Sequence, residues 1–167
     1  MIEVSPVIIA KDRRNELMGS LMLFFTGFSR FAFTIAEKTI NNMDENENIL
    51  HAIGALVDDA ETILQGRQDP TAELGKLLHQ SWMMKRELAE GVTTPALDEI
   101  YEAGIEAGAI GGKILGAGGG GFMLFVVKPE AQAAVRHRLN KLIHVNFDID
   151  LGGSKIVVFE PDGFAYA

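Results

Sequence analysis

Residues 116–121 read Gly-Ala-Gly-Gly-Gly-Gly, between Lys113-Ile114-Leu115 and Phe122-Met123-Leu124-Phe125-Val126-Val127. No other stretch constrains the fold as strongly. Ordering a glycine costs more backbone entropy than ordering any other residue. Five glycines in six positions are kept where backbone must take positive φ or come very close to something else. Phosphate is the usual object of such an approach, because bare N–H groups converge on its oxygens when no side chains intervene. The competing reading is a tight hairpin between two strands, but the glycine density favours a ligand or active-site loop. Gly116, Gly118 and Gly121 satisfy the letters G-x-G-x-x-G, yet the dinucleotide fingerprint needs a helix directly after the loop. A short, apolar, β-rich run follows here instead. The Walker loop ends in G-K-[ST], and Phe122-Met123 occupies that place. The element is a strand, a glycine loop and a strand.

The 167 residues suffice for one domain with a real core. No apolar run approaches the roughly 20 residues of a membrane span. The start, MIEVSPVIIAKDRR, lacks the basic region and apolar block of a signal peptide, which favours the cytoplasm. With no cysteine, disulfides and thiolate metal sites are excluded. A net charge of −8 argues against nucleic acid as a partner, though not against a small anion held locally.

The sequence opens on a strand-like run, residues 2–9. One or two helical turns are expected over 11–19, then a second strand, Leu21 to Phe25. Ser29 can cap a helix from Arg30 to about Asn41. Ile49, Leu50, Ile53, Leu56, Val57, Ala60, Ile63 and Leu64 lie on one face of an amphipathic helix. Asp69-Pro70 and Thr94-Pro95 each read as an N-cap and first helical residue. The helices that follow carry Leu74, Leu77, Leu78, Trp82 and Leu88, then Leu97, Ile100, Tyr101 and Ile105. Strands are expected at 112–115 and 121–128, a helix from Pro129 through about Leu142, and two closing strands, Val145–Ile149 and Lys155–Phe159. Strands at both ends of a helical block predict an α+β, ferredoxin-like sandwich, a mostly antiparallel sheet with helices packed on one face.

Thr26-Gly27-x-x-Arg30 closes a strand. A helix carries G-K-L-L-H-Q-S-W-x-x-K-R from Gly75 to Arg86. T-P-x-L-D-x-I-Y starts at Thr94, and G-G-K-I-L-G-A-G-G-G-G-F ends at Phe122. Taken together, these resemble the C-terminal half of a GHMP kinase, the superfamily of galactokinase and of homoserine, mevalonate and phosphomevalonate kinases. Trp82 with Lys85 and Arg86, and Phe122 after the glycines, lean toward the heptose-phosphate kinase branch. The match spans essentially the whole chain. Such kinases are about twice this length, and their N-terminal domain carries a P-x-x-x-G-L-G-S-S-A phosphate loop that nothing here resembles. The resemblance therefore implies a C-terminal domain, residues 1–167, whose N-terminal nucleotide-binding domain is absent from this chain. That missing domain is the implied partner, ATP and Mg²⁺ belong to the complete enzyme, and neither is expected to bind tightly here. The acceptor would be a sugar or sugar phosphate, and the isolated chain is expected to be inactive.

By the same resemblance, Lys113 and the loop residues Gly116, Ala117, Gly118, Gly119, Gly120 and Gly121 would face ATP and substrate. Thr26, Gly27, Arg30, Trp82 and Lys85 would contact substrate, and no catalytic residue lies in the chain. Each has a plainer alternative: a solvated strand lysine for Lys113, a capped helix start for Thr26 to Arg30, a core position for Trp82. The four histidines show no ligand spacing and are assigned to no metal. Two further readings stand beside the kinase half: a self-sufficient α+β module binding an anionic metabolite, and an interaction domain that homodimerises through an exposed cleft face.

Overall fold

A computed structural model describes residues 7–28, 32–67, 69–150 and 152. In chain order these form α1 (Lys11–Gly19), β1 (Leu21–Phe25), α2 (Ala32–Asn41), α3 (Glu47–Gln65), α4 (Pro70–Arg86), α5 (Pro95–Glu106), β2 (Gly111–Ile114), β3 (Phe122–Val126), a 3₁₀ turn (Pro129–Ala131), α6 (Gln132–Arg138) and β4 (Ile143–Val145). The strands make one antiparallel sheet in the order β2-β3-β1-β4. This is the α+β architecture expected from the strand and helix order.

Alternation along the strands decides what each face buries. Met22 and Phe24 of β1 and Met123 and Phe125 of β3 are fully buried, with half-buried neighbours between them. They share a core with Trp82, Leu97, Tyr101, Val135 and Leu139 from α4, α5 and α6. Burying one such side chain contributes about 1.5–3 kcal/mol. The helix starts are fixed by side-chain caps. Asp69 accepts the Thr71 N–H at 2.8 Å, and that bond holds its carboxyl below the usual range. Thr94 accepts the Leu97 N–H at 3.3 Å. The last carbonyls of α3 are taken by Arg13, which donates to Leu64 at 2.8 Å and to Ile63.

Some boundaries differ from the sequence reading. Residues 11–19 form a complete helix. The run from Pro129 is a 3₁₀ turn followed by a short α6, and it stops at Arg138. There Leu142 bonds back to Leu139, closing a tight turn. The strand expected at Val145–Ile149 is displaced to Ile143–Val145. Asp148 and Asp150 explain the shift, because their carboxylates accept the N–H groups of Ile149 and Gly152, both at 2.7 Å. Such local side-chain bonds draw the backbone away from a ladder. The first strand falls largely, and Ser29, Arg30 and the strand Lys155–Phe159 fall wholly, outside the described residues.

Candidate functional site

The glycine loop joins β2 to β3, so it is a hairpin connection, but an irregular one. Leu115 donates to Phe122 at 2.9 Å and closes its neck. Five loop glycines take positive φ: 76° at Gly116, 113° at Gly118, 74° at Gly119, 152° at Gly120 and 89° at Gly121. Few L-residues adopt such angles without strain. Two of these glycines are also required by the chain's own packing. A Cβ on Gly118 would stand 2.7 Å from the Val92 carbonyl oxygen, and one on Gly120 would stand 2.6 Å from that of Phe28. By contrast, a Cβ on Gly116 or Gly121 would meet nothing within 4 Å.

The loop is tied down from both sides. Gly119 donates to Val92 and Gly121 to Phe28, each at 2.9 Å. Thr26 donates to the Gly121 carbonyl twice, through its N–H and its hydroxyl, both at 2.9 Å. Thr26 is only 3% exposed, and its hydroxyl holds the loop. Gly27, with φ 80° and open space around it, lets the chain turn away after that bond. A turn over residues 115–118 engages the Gly118 N–H, while among the described residues the N–H groups of Gly116, Ala117 and Gly120 have no partner and remain as the loop's own donors.

Two lysines flank the loop. Lys85, in the last turn of α4, donates to the Gly116 carbonyl and, at 3.5 Å, to that of Ile114. Lys113 of β2 donates to the Ser81 hydroxyl at 3.4 Å. Burial, followed by repulsion from Lys113, lowers the Lys85 ammonium to about 8. Burial lowers Lys113 as well. Neither has a carboxylate partner among the described residues, whereas the neighbouring Arg86 is paired with Asp98 at 3.1 Å.

The outer edge of β2 is also covered. Beside it the Tyr101 hydroxyl lies 2.6 Å from His79 Nδ1. Desolvation pushes Tyr101 up to about 12, so the phenol stays protonated. Lys85 donates to the Ile114 carbonyl and so occupies a backbone acceptor that an edge strand would otherwise present to another chain.

Of the residues singled out from sequence, the structure brings together the loop, Thr26, Gly27, Lys85 and Lys113. Trp82 is 0% exposed and packs against Tyr101, the core position that the sequence also offered for it. Its place on the apolar stripe of α4 explains this. Arg30 lies outside the described residues. Sequence reasoning missed Ser81, Val92 and Phe28. Nothing in their local pattern announces them, because each acts through a residue distant in the chain. Among the described residues no three His, Asp or Glu side chains converge to hold a metal ion.

An α+β domain with a glycine-loop hairpin and two unpaired lysines beside it has close relatives. Residues 60–144 match the family model for the C-terminal domain of GHMP kinases, and the chain belongs to that family. A D-glycero-alpha-D-manno-heptose 7-phosphate kinase of Campylobacter jejuni is 35% identical over 128 residues, which cover 75% of this chain and 37% of that protein. A bifunctional fucokinase/GDP-fucose pyrophosphorylase of Arabidopsis thaliana is 28% identical over 153 residues, 89% of this chain and 14% of that protein. In structure, the mevalonate kinase of Methanococcus jannaschii superposes with a TM-score of 0.64 at 24% identity, over 82% of this chain and 42% of that one, a likeness of fold. The chain thus spans well under half the length of these relatives.

Proposed function

We propose that this chain forms one wall of the substrate and nucleotide cleft in an ATP-dependent kinase of a sugar or sugar phosphate, and that it is inactive or nearly so by itself. The observation that carries the reading is the loop at 116–121. It is held rigid by Val92, Phe28 and Thr26, while Gly116 and Gly121 face open space. Phosphoryl transfer needs positioning and charge neutralisation more than covalent chemistry from the protein. A fixed backbone with free N–H groups and nearby ammonium groups supplies both. A second domain, with the nucleotide-phosphate loop, would close the cleft, and Mg²⁺ enters only with the nucleotide. The surface beside the loop supports this: Phe28, Leu115 and Phe122 stay 42, 40 and 39% exposed. Large apolar side chains clustered at a surface favour a partner. The kinship to a heptose 7-phosphate kinase supports a phosphorylated heptose as acceptor.

The test joins this chain to the N-terminal portion of the Campylobacter jejuni enzyme and measures ATP turnover with and without heptose 7-phosphate. Sugar-dependent turnover is expected from the fusion and none from the 167-residue chain. Robust turnover by the chain alone, or a folded fusion with none, overturns the reading. The same apolar patch favours a second reading, a homodimer through this face, which sedimentation of the isolated chain would reveal.

A further inference from the structure

Lys85 and Lys113 are charged, half-buried and unneutralised. Each belongs to a different element, yet both converge on one turn of α4: Lys113 bonds Ser81, which lies four residues before Lys85. Residues so spaced on a helix are neighbours, with Cβ atoms about 6 Å apart. Two ammonium groups brought together in a partly desolvated place repel one another, and folding ordinarily supplies a carboxylate to such a pair. None is supplied among the described residues, although the same helix pairs Lys76 with Glu73 at 2.9 Å and Arg86 with Asp98. The donors are also incompletely used. Lys85 spends two of its three N–H bonds on Ile114 and Gly116, and Lys113 spends one on Ser81. Three ammonium N–H bonds therefore remain, beside the unpartnered N–H groups of Gly116 and Ala117.

We propose that Lys85, Lys113 and the backbone of Gly116 and Ala117 form a binding subsite for a phosphate dianion. Its three terminal oxygens match the three remaining ammonium donors, and its charge of nearly two offsets the pair. Lys85 also couples the subsite to the loop, because the ammonium that would hold phosphate also holds the Gly116 carbonyl. The proposal deepens the kinase reading and gives a phosphate a place within it. It is tested on the 167-residue chain alone, so its outcome is separate from that of the fusion experiment.

The test titrates inorganic phosphate into the ¹⁵N-labelled chain at constant ionic strength and follows the amides of residues 115–121. Saturable shifts are expected, weakened by about tenfold or more in Lys85→Met and in Lys113→Met. Lys85→Arg keeps the charge and should retain binding, which separates loss of charge from loss of fold. Lys76→Met removes the same charge from an exposed, paired position and should leave the shifts unchanged. Absence of saturable shifts, or equal binding by both Met variants and wild type, overturns the proposal. Mannose 6-phosphate and tripolyphosphate then compete with the inorganic ion, with mannose as the neutral control. Stronger competition by the sugar phosphate assigns the subsite to an acceptor's own phosphate, and stronger competition by tripolyphosphate assigns it to a nucleotide's terminal phosphate. Competition by neither, or equally by mannose, overturns the site.

Discussion

The carbonyl oxygen of Gly75 occupies the space where a side chain on Gly111 would begin. A Cβ built at 111 would fall far inside the 3.0 Å that real Cβ atoms respect, against both the oxygen and the carbon of that carbonyl. Backbone of α4 thus rests directly on backbone of β2, and this contact sets how closely the helix carrying Ser81 and Lys85 lies to the strand carrying Lys113. Gly111→Ala should cost about 3 kcal/mol or more, because the overlap is with main chain and neither side can move cheaply. Gly54, in the middle of α3 with nothing within 4 Å of an added Cβ, should respond oppositely, and Gly54→Ala should stabilise by about 1 kcal/mol. Urea unfolding of the two variants tests both signs.

Tyr101 carries a second structural prediction. Its hydroxyl lies 2.6 Å from His79 Nδ1, so Tyr101→Phe removes that hydrogen bond. The cost should be about 1 kcal/mol. The chain has two tyrosines. An absorbance titration should show one phenol resisting ionisation to about pH 12, and Tyr101→Phe should remove that late component. A single tyrosinate transition at ordinary pH in the wild type would contradict the buried bond.

The caps were readable because their signals are local. Asp69-Pro70 and Thr94-Pro95 hold donor, acceptor and fixed φ within four residues of one another. The positive φ of the loop was readable from glycine density alone. The Gly75–Gly111 contact was not, since each glycine looks ordinary until the fold brings the other to it. Trp82 shows the opposite difficulty: a large aromatic on a helix suits a core stripe and a sugar platform equally well, and only burial decides between them. Lys85 was singled out by resemblance, but its hold on the Gly116 carbonyl depends on how α4 lies along β2, which no local pattern encodes.

Lys85 makes stability depend on pH in a definite direction. Its folded pKa of about 8 lies below the ordinary 10.5, through burial first and repulsion from Lys113 second. Below about pH 8 both folded and unfolded chains carry the proton, and the cost of holding the charge in the fold is fully present. Between about 8 and 10.5 the unfolded chain binds the proton more strongly, so this group's contribution to stability rises with pH. Lys85→Met lacks the group. The stability difference between wild type and variant should therefore move in favour of wild type from pH 8 to pH 10, by denaturant unfolding at each pH. A difference flat with pH would place the ammonium in full solvent.

The loop glycines separate packing from function, because they differ in what a side chain would meet. Gly118→Ala forces a methyl against the Val92 carbonyl at 2.7 Å and a φ of 113°. It should destabilise the domain by about 2–3 kcal/mol. Gly116→Ala meets nothing within 4 Å and must only accept a φ of 76°, a strain of about 1 kcal/mol. If the open side of the loop is a cleft, the order reverses for chemistry. In the fusion with an N-terminal kinase domain, the methyl on Gly116 projects where substrate or nucleotide approaches. Since a misplacement of about 1 Å can cost on the order of a hundredfold in rate, kcat/KM should fall further in Gly116→Ala than its small stability loss explains. Gly118→Ala should keep most of the activity of whatever fraction remains folded. Melting curves beside steady-state kinetics for both variants decide the matter. Equal specific activity of the two folded variants and wild type would mean that the loop only turns the chain from β2 to β3.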